Sequence, residues 1–412
     1  MRLDEKTFWR DFDAMAAIGA TEAGGCERLS MSDEDMKARA LLILMLKEEG
    51  FAVNEDETGA IWARMEGEDP DAAAVLTGSH IDTVRNGGKY DGLLGVMMSF
   101  QAMRQIKQSG AKHKRAIELV VFPTEESARF NFPTVGSKVL AGKVTPAKLK
   151  EMKDKDGVSL HQALEMRGFD PDHPEKAMAR VKSALSMTEV HIEQGPLLES
   201  GGPRIGVVSA IAAPTRFSMT IEGVYSHSGA CPMHLRRDAL AAAAEVILAA
   251  EKAGNEEAVY KTVAAATLCN VKNASLNVVP GCVEIAVDVR GIDKVSIDRC
   301  VSKIKTALEE TCERRGVKGS FKILSSDDPT PMHDRMIESL KNSCEQNGIA
   351  YEVMPSGAGH DAMNIAAVIP AGMIFVPCRE GISHNPAEEV EKADIVDGFA
   401  VLITHLLSEA NS

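Results

Sequence analysis

Apolar and polar positions follow two different patterns along the chain, and the pattern changes near residue 212. Before that point the apolar segments "AAAVLTGS" and "AIELVVFP" each run into a loop rich in glycine or proline, and "LLGVMMSFQAMRQIKQSG" between them has helical spacing. Strands that alternate with helices in this way predict an α/β sheet with helices on its faces. We expect this sheet to be mixed and mostly parallel.

From residue 212 onward the order of elements is different. "RFSMTIEGVYSHSG" has the period of a half-exposed strand, and a long helical stretch, two strands with a turn, a second long helix and a last strand follow it. This order predicts a small α+β sandwich of about a hundred residues. The α/β pattern returns after "DDPTP". The sequence therefore predicts a catalytic domain formed by residues 1–211 and 328–412, interrupted by an inserted domain at 212–327.

Composition and charge narrow the class of protein. A chain of 412 residues is long enough for two domains, and its formal charge of −14 argues against nucleic acid or an anionic membrane as a partner, but not against a small anionic substrate. The charged N-terminus does not resemble a secretory signal, and no early apolar run is long enough to span a bilayer. The eight cysteines stand singly, which favours reduced thiols in a cytoplasmic protein over a disulfide framework or a cysteine zinc site.

Metal-binding residue types follow several of the predicted strands, where open α/β sheets place their ligands. Each type alone has an ordinary explanation, since an aspartate beside glycine is usually a turn former and adjacent glutamates are usually solvated. Together they supply three imidazoles and several carboxylates without sulfur, a set that suits zinc, manganese or cobalt. The candidates are His80, Asp82, Asp91, Glu125, Glu126, His191, Glu193 and His384.

The same stretches carry a family resemblance. The series "GSHIDTV", "YDG", "EES", "HIEQGP", "NVVPG", "VDVRG", "SGAGHDA" and "SHNPAE" resembles the dinuclear-metal amidohydrolases related to the aminoacylase and carboxypeptidase clan. The branch that it resembles most holds N-carbamoyl-L-amino-acid hydrolases, β-ureidopropionases and allantoate amidohydrolases. "HIEQGP" and "SGAGHDA" are specific to that branch, and the resemblance runs from about residue 75 to 395.

The resemblance implies two bound divalent metal ions, with Zn²⁺ favoured over Mn²⁺ or Co²⁺. Asp91 matches the bridging ligand, and Glu125 matches the general base that takes a proton from a metal-activated water. Asp82 matches the acid that orients the first histidine. The other ligand positions match His80, Glu126, His191 and His384.

The resemblance also implies how substrate is bound, although His227 and Arg290 would be surface residues on their types alone. His227 in "YSHSG" matches a histidine that stabilises the oxyanion, and Arg290 in "VDVRG" matches an arginine that clamps a carboxylate. Relatives pair through the inserted lid domain, so we expect a homodimer. Further substrate contacts are predicted at Asn277, Gln194, Gly359 and His360, of which His360 could equally be structural.

We therefore expect hydrolysis of a linear amide or ureido bond in a small carboxylate. An N-carbamoyl-L-amino acid is the first candidate and allantoate the second; a dipeptide or another N-acyl or aromatic amide is the third. A non-catalytic relative would be expected to lose a ligand or the base, and this chain keeps all of them. It departs from the family at Ser127-Ala128, after the acidic pair, and at Ser228 and Cys231 in the lid motif. These departures concern the substrate's side chain rather than the metal ligands.

Overall fold

The computed structural model describes residues 1–412 and divides into two compact units. Unit 1 consists of Met1–Ser209 and Pro331–Ser412, and unit 2 consists of Ala210–Thr330. None of the helices combines the length and the apolar character that crossing a membrane requires.

The chain folds into fifteen strands and thirteen α-helices. The strands are β1 (Ala52–Glu55), β2 (Ile61–Met65), β3 (Val75–His80), β4 (Ile117–Phe122), β5 (Ser186–Ile192), β6 (Ile205–Ile211), β7 (Ala213–Glu222), β8 (Ser226–His227), β9 (Val263–Val271), β10 (Val278–Val279), β11 (Cys282–Gly291), β12 (Lys318–Ser326), β13 (Thr330–Pro331), β14 (Tyr351–Ser356) and β15 (Ala371–Val376). The α-helices are α1 (Glu5–Ala16), α2 (Asp33–Glu48), α3 (Leu93–Ser109), α4 (Val135–Leu140), α5 (Pro146–Leu149), α6 (Leu160–Met166), α7 (Glu175–Lys182), α8 (Leu197–Gly201), α9 (Ala239–Glu257), α10 (Lys294–Arg315), α11 (Asp334–Asn347), α12 (Ala362–Ile365) and α13 (Lys392–Ala410).

Unit 1 is built on a nine-stranded sheet in the order β1-β2-β4-β3-β5-β15-β6-β13, with β14 paired to β6. The four neighbouring strands β4, β3, β5 and β15 run parallel, whereas β2 and β6 pair with them antiparallel. The prediction of a mixed α/β sheet is therefore confirmed.

The centre of this sheet is buried on both faces, as parallel strands require. Every residue of β3, β4, β5 and β15 is buried. Helix α3 packs against this centre, and Gly95 lets it approach β5, because a side chain at that position would collide with the carbonyl of Val190. Parallel strands end at the same edge of a sheet, so the packing brings four strand ends together.

Unit 2 has a four-stranded antiparallel sheet in the order β12-β7-β11-β9. Residues of β7 and β11 alternate between buried and less buried positions, and the buried ones pack against α9 and α10. Strands β8 and β10 form a separate two-stranded pair. Helices therefore cover one face of the sheet, and β9 is an edge strand.

Candidate metal centre

The ends of the parallel strands bring the five predicted ligands together. His80 is the last residue of β3, the glutamate pair 125–126 follows β4, and His191 lies near the end of β5. Asp91 lies in the loop before α3, and His384 lies in the loop after β15. We call the set His80, Asp91, Glu126, His191 and His384 the ligand cluster.

Asp91 divides the ligand cluster into two donor groups. Its Oδ1 lies 3.4 Å from Nε2 of His80 and 3.1 Å from Nε2 of His191, which form the first donor group with it. Its Oδ2 lies 3.3 Å from Nε2 of His384, and that nitrogen lies 3.3 Å from Oε1 of Glu126; these three form the second donor group. One carboxylate that faces two donor groups has the arrangement of a ligand bridging two cations.

Two of the imidazoles are oriented by backbone carbonyls. Nδ1 of His80 lies 2.9 Å from the carbonyl oxygen of Asp82, and Nδ1 of His191 lies 2.9 Å from that of Ile192. A carbonyl oxygen can only accept, so Nδ1 carries a proton, and Nε2 is the ring nitrogen that faces Asp91 and would bind a cation. Histidines that bind metals are held in this way.

The adjacent glutamates serve separate groups. Oε2 of Glu125 lies 3.8 Å from Nε2 of His80, beside the first donor group, whereas Glu126 belongs to the second. Both residues are buried. The ordinary interpretation of the pair as a solvated turn is therefore wrong.

Asp82 holds the backbone of this pair. Its buried carboxylate accepts the N–H of Glu125 at 3.3 Å and that of Glu126 at 3.1 Å. The same carboxylate lies 3.8 Å from Nδ1 of His80, and it is the main-chain carbonyl of Asp82 that orients this histidine. The resemblance predicts that Asp82 orients His80, and in the structure its main-chain carbonyl does so. The carboxylate also accepts the two buried N–H groups of the turn, which need an acceptor.

Three residues at or beside the ligand cluster have strained backbone conformations. Thr124, Gln194 and His384 have φ angles of 56°, 57° and 55° in the left-handed region. Gly92 has a φ of 65°, and a side chain there would collide with the ring of His80. Conformations of this kind persist where the surrounding structure enforces them, and they are common at functional sites.

The surroundings of Asp91 include two residues, Ser383 and Glu388, that were not predicted from the sequence. Nε2 of Gln194, predicted as a substrate contact, donates to Oδ2 of Asp91 at 2.8 Å. The Ser383 hydroxyl lies 3.0 Å from the same oxygen, and Glu388 accepts the N–H groups of Tyr90 at 2.8 Å and Asp91 at 3.1 Å. Both residues lie in the motif "SHNPAE" with His384, but that motif gave them no role.

The ligand cluster concentrates opposite charges, and four of its five residues are buried while His384 is exposed. Burial raises the pKa of Glu125 well above its usual range. Burial has the same tendency at Asp91, but His191 and the other two imidazoles outweigh it and hold the pKa of Asp91 well below its usual range. Hydrogen bonds to Asp91 and Glu126 raise the pKa of His384 to about 11. Buried carboxylates at this density need positive charge, which protons or divalent cations can supply.

The donors fit divalent cations. All of them are imidazole nitrogens or carboxylate oxygens, and the donor atoms within each group lie within 4.8 Å of one another. Nitrogen and oxygen donors without sulfur suit zinc, manganese or cobalt. The first donor group would hold one cation and the second another, with Asp91 shared between them.

His360 supports the cluster from one side. It is buried, its ring centroid lies 4.5 Å from that of His191, and its Nε2 lies 3.0 Å from the hydroxyl of Ser356. Burial lowers its pKa well below the usual range. These contacts favour the structural alternative for His360, and Gly359 lies in the loop that precedes it.

The remaining predicted substrate contacts lie in unit 2. His227 pairs with Val278 across β8 and β10, and the carbonyl of Asn277 accepts the N–H of Ser228 at 2.9 Å, so His227 and Asn277 are near each other. Arg290 lies in the four-stranded sheet, on β11.

The predicted candidate Glu193 and one further group of metal-binding residue types lie outside the ligand cluster. Glu193 accepts the N–H of Leu197 at the start of α8. His161 has Glu165 3.2 Å from its Nδ1 and Asp172 3.0 Å from its Nε2. The two carboxylates lie on opposite nitrogens of the buried ring, and both carboxylates are exposed.

Comparison with known proteins identifies the family. Residues 76–408 match the family described as peptidase family M20/M25/M40. The chain is 36% identical over 397 residues to an N-carbamoyl-L-amino-acid amidohydrolase of Pseudomonas sp. (strain NS671), with 96% of each chain covered. It is 35% identical over 405 residues to a ureidoglycolate hydrolase of Oryza sativa subsp. japonica, with 97% of this chain and 84% of that one covered.

A solved structure agrees with this assignment. An amidase of the hydantoinase/carbamoylase family from Burkholderia multivorans superposes with a TM-score of 0.94 at 32% identity, covering 100% of this chain and 99% of that one. The resemblance found in the sequence motifs is thus confirmed. The chain belongs to peptidase family M20/M25/M40, whose enzymes generally depend on two metal ions, and it is a hydrolase of linear amides.

Proposed function

We propose that this enzyme hydrolyses an N-carbamoyl-L-amino acid to the free amino acid, ammonia and carbon dioxide. The observation that carries the proposal is the division of Asp91 between two donor groups, with Glu125 beside the first. The names of relatives support the substrate class, since N-carbamoyl amino acids and ureidoglycolate both join a ureido group to a carboxylate.

The chemistry divides between cations and side chains. Bound divalent cations, with Zn²⁺ proposed first and Mn²⁺ or Co²⁺ as alternatives, supply the Lewis acidity that polarises a carbonyl and acidifies water. Glu125 takes the proton of the attacking water and passes it to the departing nitrogen as the C–N bond breaks. Asp82 keeps Glu125 in place through the backbone hydrogen bond.

His227 is proposed as the donor to the carbonyl oxygen of the substrate. The N–H groups of Gly229 and Ala230 point at Nδ1 of His227, at 3.1 Å and 3.2 Å. Nδ1 is therefore the acceptor in the neutral ring, and Nε2 carries the proton. This tautomer presents an N–H group, which an oxyanion requires.

Arg290 is proposed as the clamp for the substrate carboxylate, with Asn277 as a second polar contact. Nε and Nη2 of Arg290 each donate to Asp288 at 3.0 Å, so that the guanidinium is held in a fixed plane. A fixed, planar guanidinium can bind a carboxylate through two parallel hydrogen bonds. Both roles depend on closure of the inserted lid domain over substrate.

A homodimer through unit 2 is part of the proposal. The edge strand β9 has the sequence "VAAATLCNV", which contains no charged residue, and Val263 and Leu268 on it are 61% and 49% exposed. An uncharged edge strand of nine residues is a template for pairing with another strand, and a second copy supplies the same edge.

A cytoplasmic location is proposed from the eight unpaired cysteines.

The substrate is tested by ammonia release from zinc-reconstituted protein. The panel contains several N-carbamoyl-L-amino acids, N-carbamoyl-β-alanine, allantoate and ureidoglycolate, with one N-acetyl amino acid followed by amine release. The highest kcat/KM on an N-carbamoyl-L-amino acid supports the proposal. The highest value on allantoate or ureidoglycolate would replace the substrate, and turnover of the N-acetyl compound alone would contradict the ureido class.

A further inference from the structure

We propose that Glu189 is a positioning residue for the first donor group, so that binding of the cation in that group depends on it. The inference rests on the two-cation centre of the proposed function and adds a residue that belongs to neither donor group. Glu189 lies on β5, two residues before His191, and is fully buried. Alternate side chains of a strand share a face, so Glu189 and His191 point to the same side of the sheet.

The carboxylate of Glu189 joins three segments of the chain. Oε1 accepts the hydroxyl of Ser79 at 2.7 Å, and Oε2 accepts the N–H of Ala362 at 2.8 Å. Ser79 directly precedes His80 on β3, and Ala362 begins α12, just after His360. One buried group therefore connects the strands that carry both histidines of the first donor group and the loop that packs on one of them.

Two buried glutamates of unit 1 that lie outside the ligand cluster are paired with arginines. Glu118 binds Arg64 and Arg180, and Glu409 binds Arg335. The two hydrogen bonds that hold Glu189 come instead from a hydroxyl and a backbone amide. A carboxylate is costly to bury without a paired cation, so stability alone gives a poor reason for this residue. Its bonds to Ser79, the neighbour of His80, and to Ala362, which follows the loop of His360, give a better one, because residues behind metal ligands fix the positions of those ligands.

The second donor group is held by other residues. The backbone of Glu126 is fixed by Asp82, and His384 lies 3.3 Å from the amide of Gln194. Neither contact involves Glu189. Loss of the Glu189 carboxylate should therefore weaken cation binding in the first donor group and leave binding in the second unchanged. A general loss of packing would weaken binding in both.

The test is a Zn²⁺ titration of the chelator-stripped full-length protein against a competing chelator. Wild type should bind two Zn²⁺ per chain. Glu189→Gln should bind one of them on the order of 10–100-fold more weakly, as is typical when a residue behind a metal ligand is lost, and the other within about twofold of wild type. Ser79→Ala, which removes one of the two contacts and keeps the carboxylate, should show a smaller loss at the same cation.

Glu409→Gln is the matched control. Glu409 is also buried and also bonds a serine of β5, Ser186, at 2.8 Å, but it does so at the opposite end of that strand. This variant should lose thermal stability and keep both Zn²⁺ affinities. Unchanged affinities in Glu189→Gln, or an equal loss at both cations, would overturn the inference. The titration uses no substrate, so its result does not depend on whether the proposed substrate is correct. If wild type bound no Zn²⁺, the metal centre and this inference would be overturned together.

Discussion

The carboxylate of Asp82 accepts the backbone N–H of Glu126 across 3.1 Å. Its other oxygen accepts the N–H of Glu125, so one buried acid fixes two consecutive residues that serve different donor groups. The turn before them needs this support, because Thr124 is in the left-handed region with a φ of 56°. The separation of the proposed base, Glu125, from the proposed ligand, Glu126, is thus built into the backbone.

Asp82→Asn should lower turnover and keep the fold. The amide group has one acceptor oxygen in place of two, so one of the two buried N–H groups loses its partner. We expect a loss of about 1–3 kcal/mol in stability and a drop of roughly 10–100-fold in kcat. Asp56→Asn is the control, since Asp56 also accepts backbone N–H groups in a turn, those of Thr58 and Ala60. An equal fall of kcat in both variants would show that the effect is general destabilisation.

Arg290→Ala should raise KM for carboxylate substrates with little change in kcat. A hydrogen bond to a charged group contributes about 1.5–3 kcal/mol, which corresponds to roughly a 10–100-fold increase in KM. Arg216→Ala is the matched control, because Arg216 donates to the same Asp288 at 3.0 Å. Similar steady-state kinetics for the two variants would remove Arg290 from substrate binding.

Leu268→Lys should convert the proposed homodimer to a monomer if β9 pairs with its copy. A lysine on an edge strand blocks strand pairing, since its charge would have to be buried beside the partner strand. The control is Ile323→Lys on β12, the opposite edge strand of the same sheet. The two positions have similar exposure, 45% at Ile323 and 49% at Leu268. Light scattering after size exclusion measures the mass of each variant. A dimeric Leu268→Lys protein would contradict pairing through β9.

His405 should make the protein less stable in acid. It is buried between Thr188 and Ser339, and burial lowers its pKa to about 4, against an ordinary value of 6.5. The folded state therefore disfavours the protonated ring, so the stability from this residue is complete above pH 6.5 and is lost as pH falls towards 4. Between pH 7 and pH 5 the loss should be about 2 kcal/mol.

Urea unfolding of wild type and of His405→Gln at both pH values isolates this contribution. The variant should show a pH dependence that is weaker by about this amount, since all other groups are common to the two proteins. Equal pH dependence in the two proteins would mean that His405 does not titrate as its burial requires.

The positions of the strand-end residues could be predicted from the sequence for a physical reason. His80 follows the apolar segment "AAAVL", and parallel strands deliver such residues to one edge of the sheet. His191 lies in "SMTEVHI", which has few apolar residues, so its place was indicated by the motif "HIEQGP". The fold class depends on the same local periodicity, which also predicted the antiparallel strands and long helices of unit 2.

The contacts that support these residues could not be predicted in the same way. Glu388 accepts the N–H of Asp91 across 297 positions in the chain, and Ala362 reaches Glu189 across 173. Glu388 stands in "PAEEV", a stretch with the composition of a surface turn. Only the packing of the folded chain shows that this glutamate is buried. The motif placed Asp82 beside His80 but did not give the direction of its side chain, so the hydrogen bonds that its carboxylate accepts from the N–H groups of Glu125 and Glu126 were not predicted.

Glu125 and Glu126 are proposed to have separate tasks, and the variants Glu125→Gln and Glu126→Gln test this separation. Zinc content and ammonia release from an N-carbamoyl-L-amino acid are measured on both. Glu125→Gln should keep two Zn²⁺ and lose roughly 10²–10⁴-fold or more in kcat, as expected for a general base. Glu126→Gln should bind its second Zn²⁺ more weakly. Near-normal turnover in Glu125→Gln, or zinc loss there rather than in Glu126→Gln, would contradict the account.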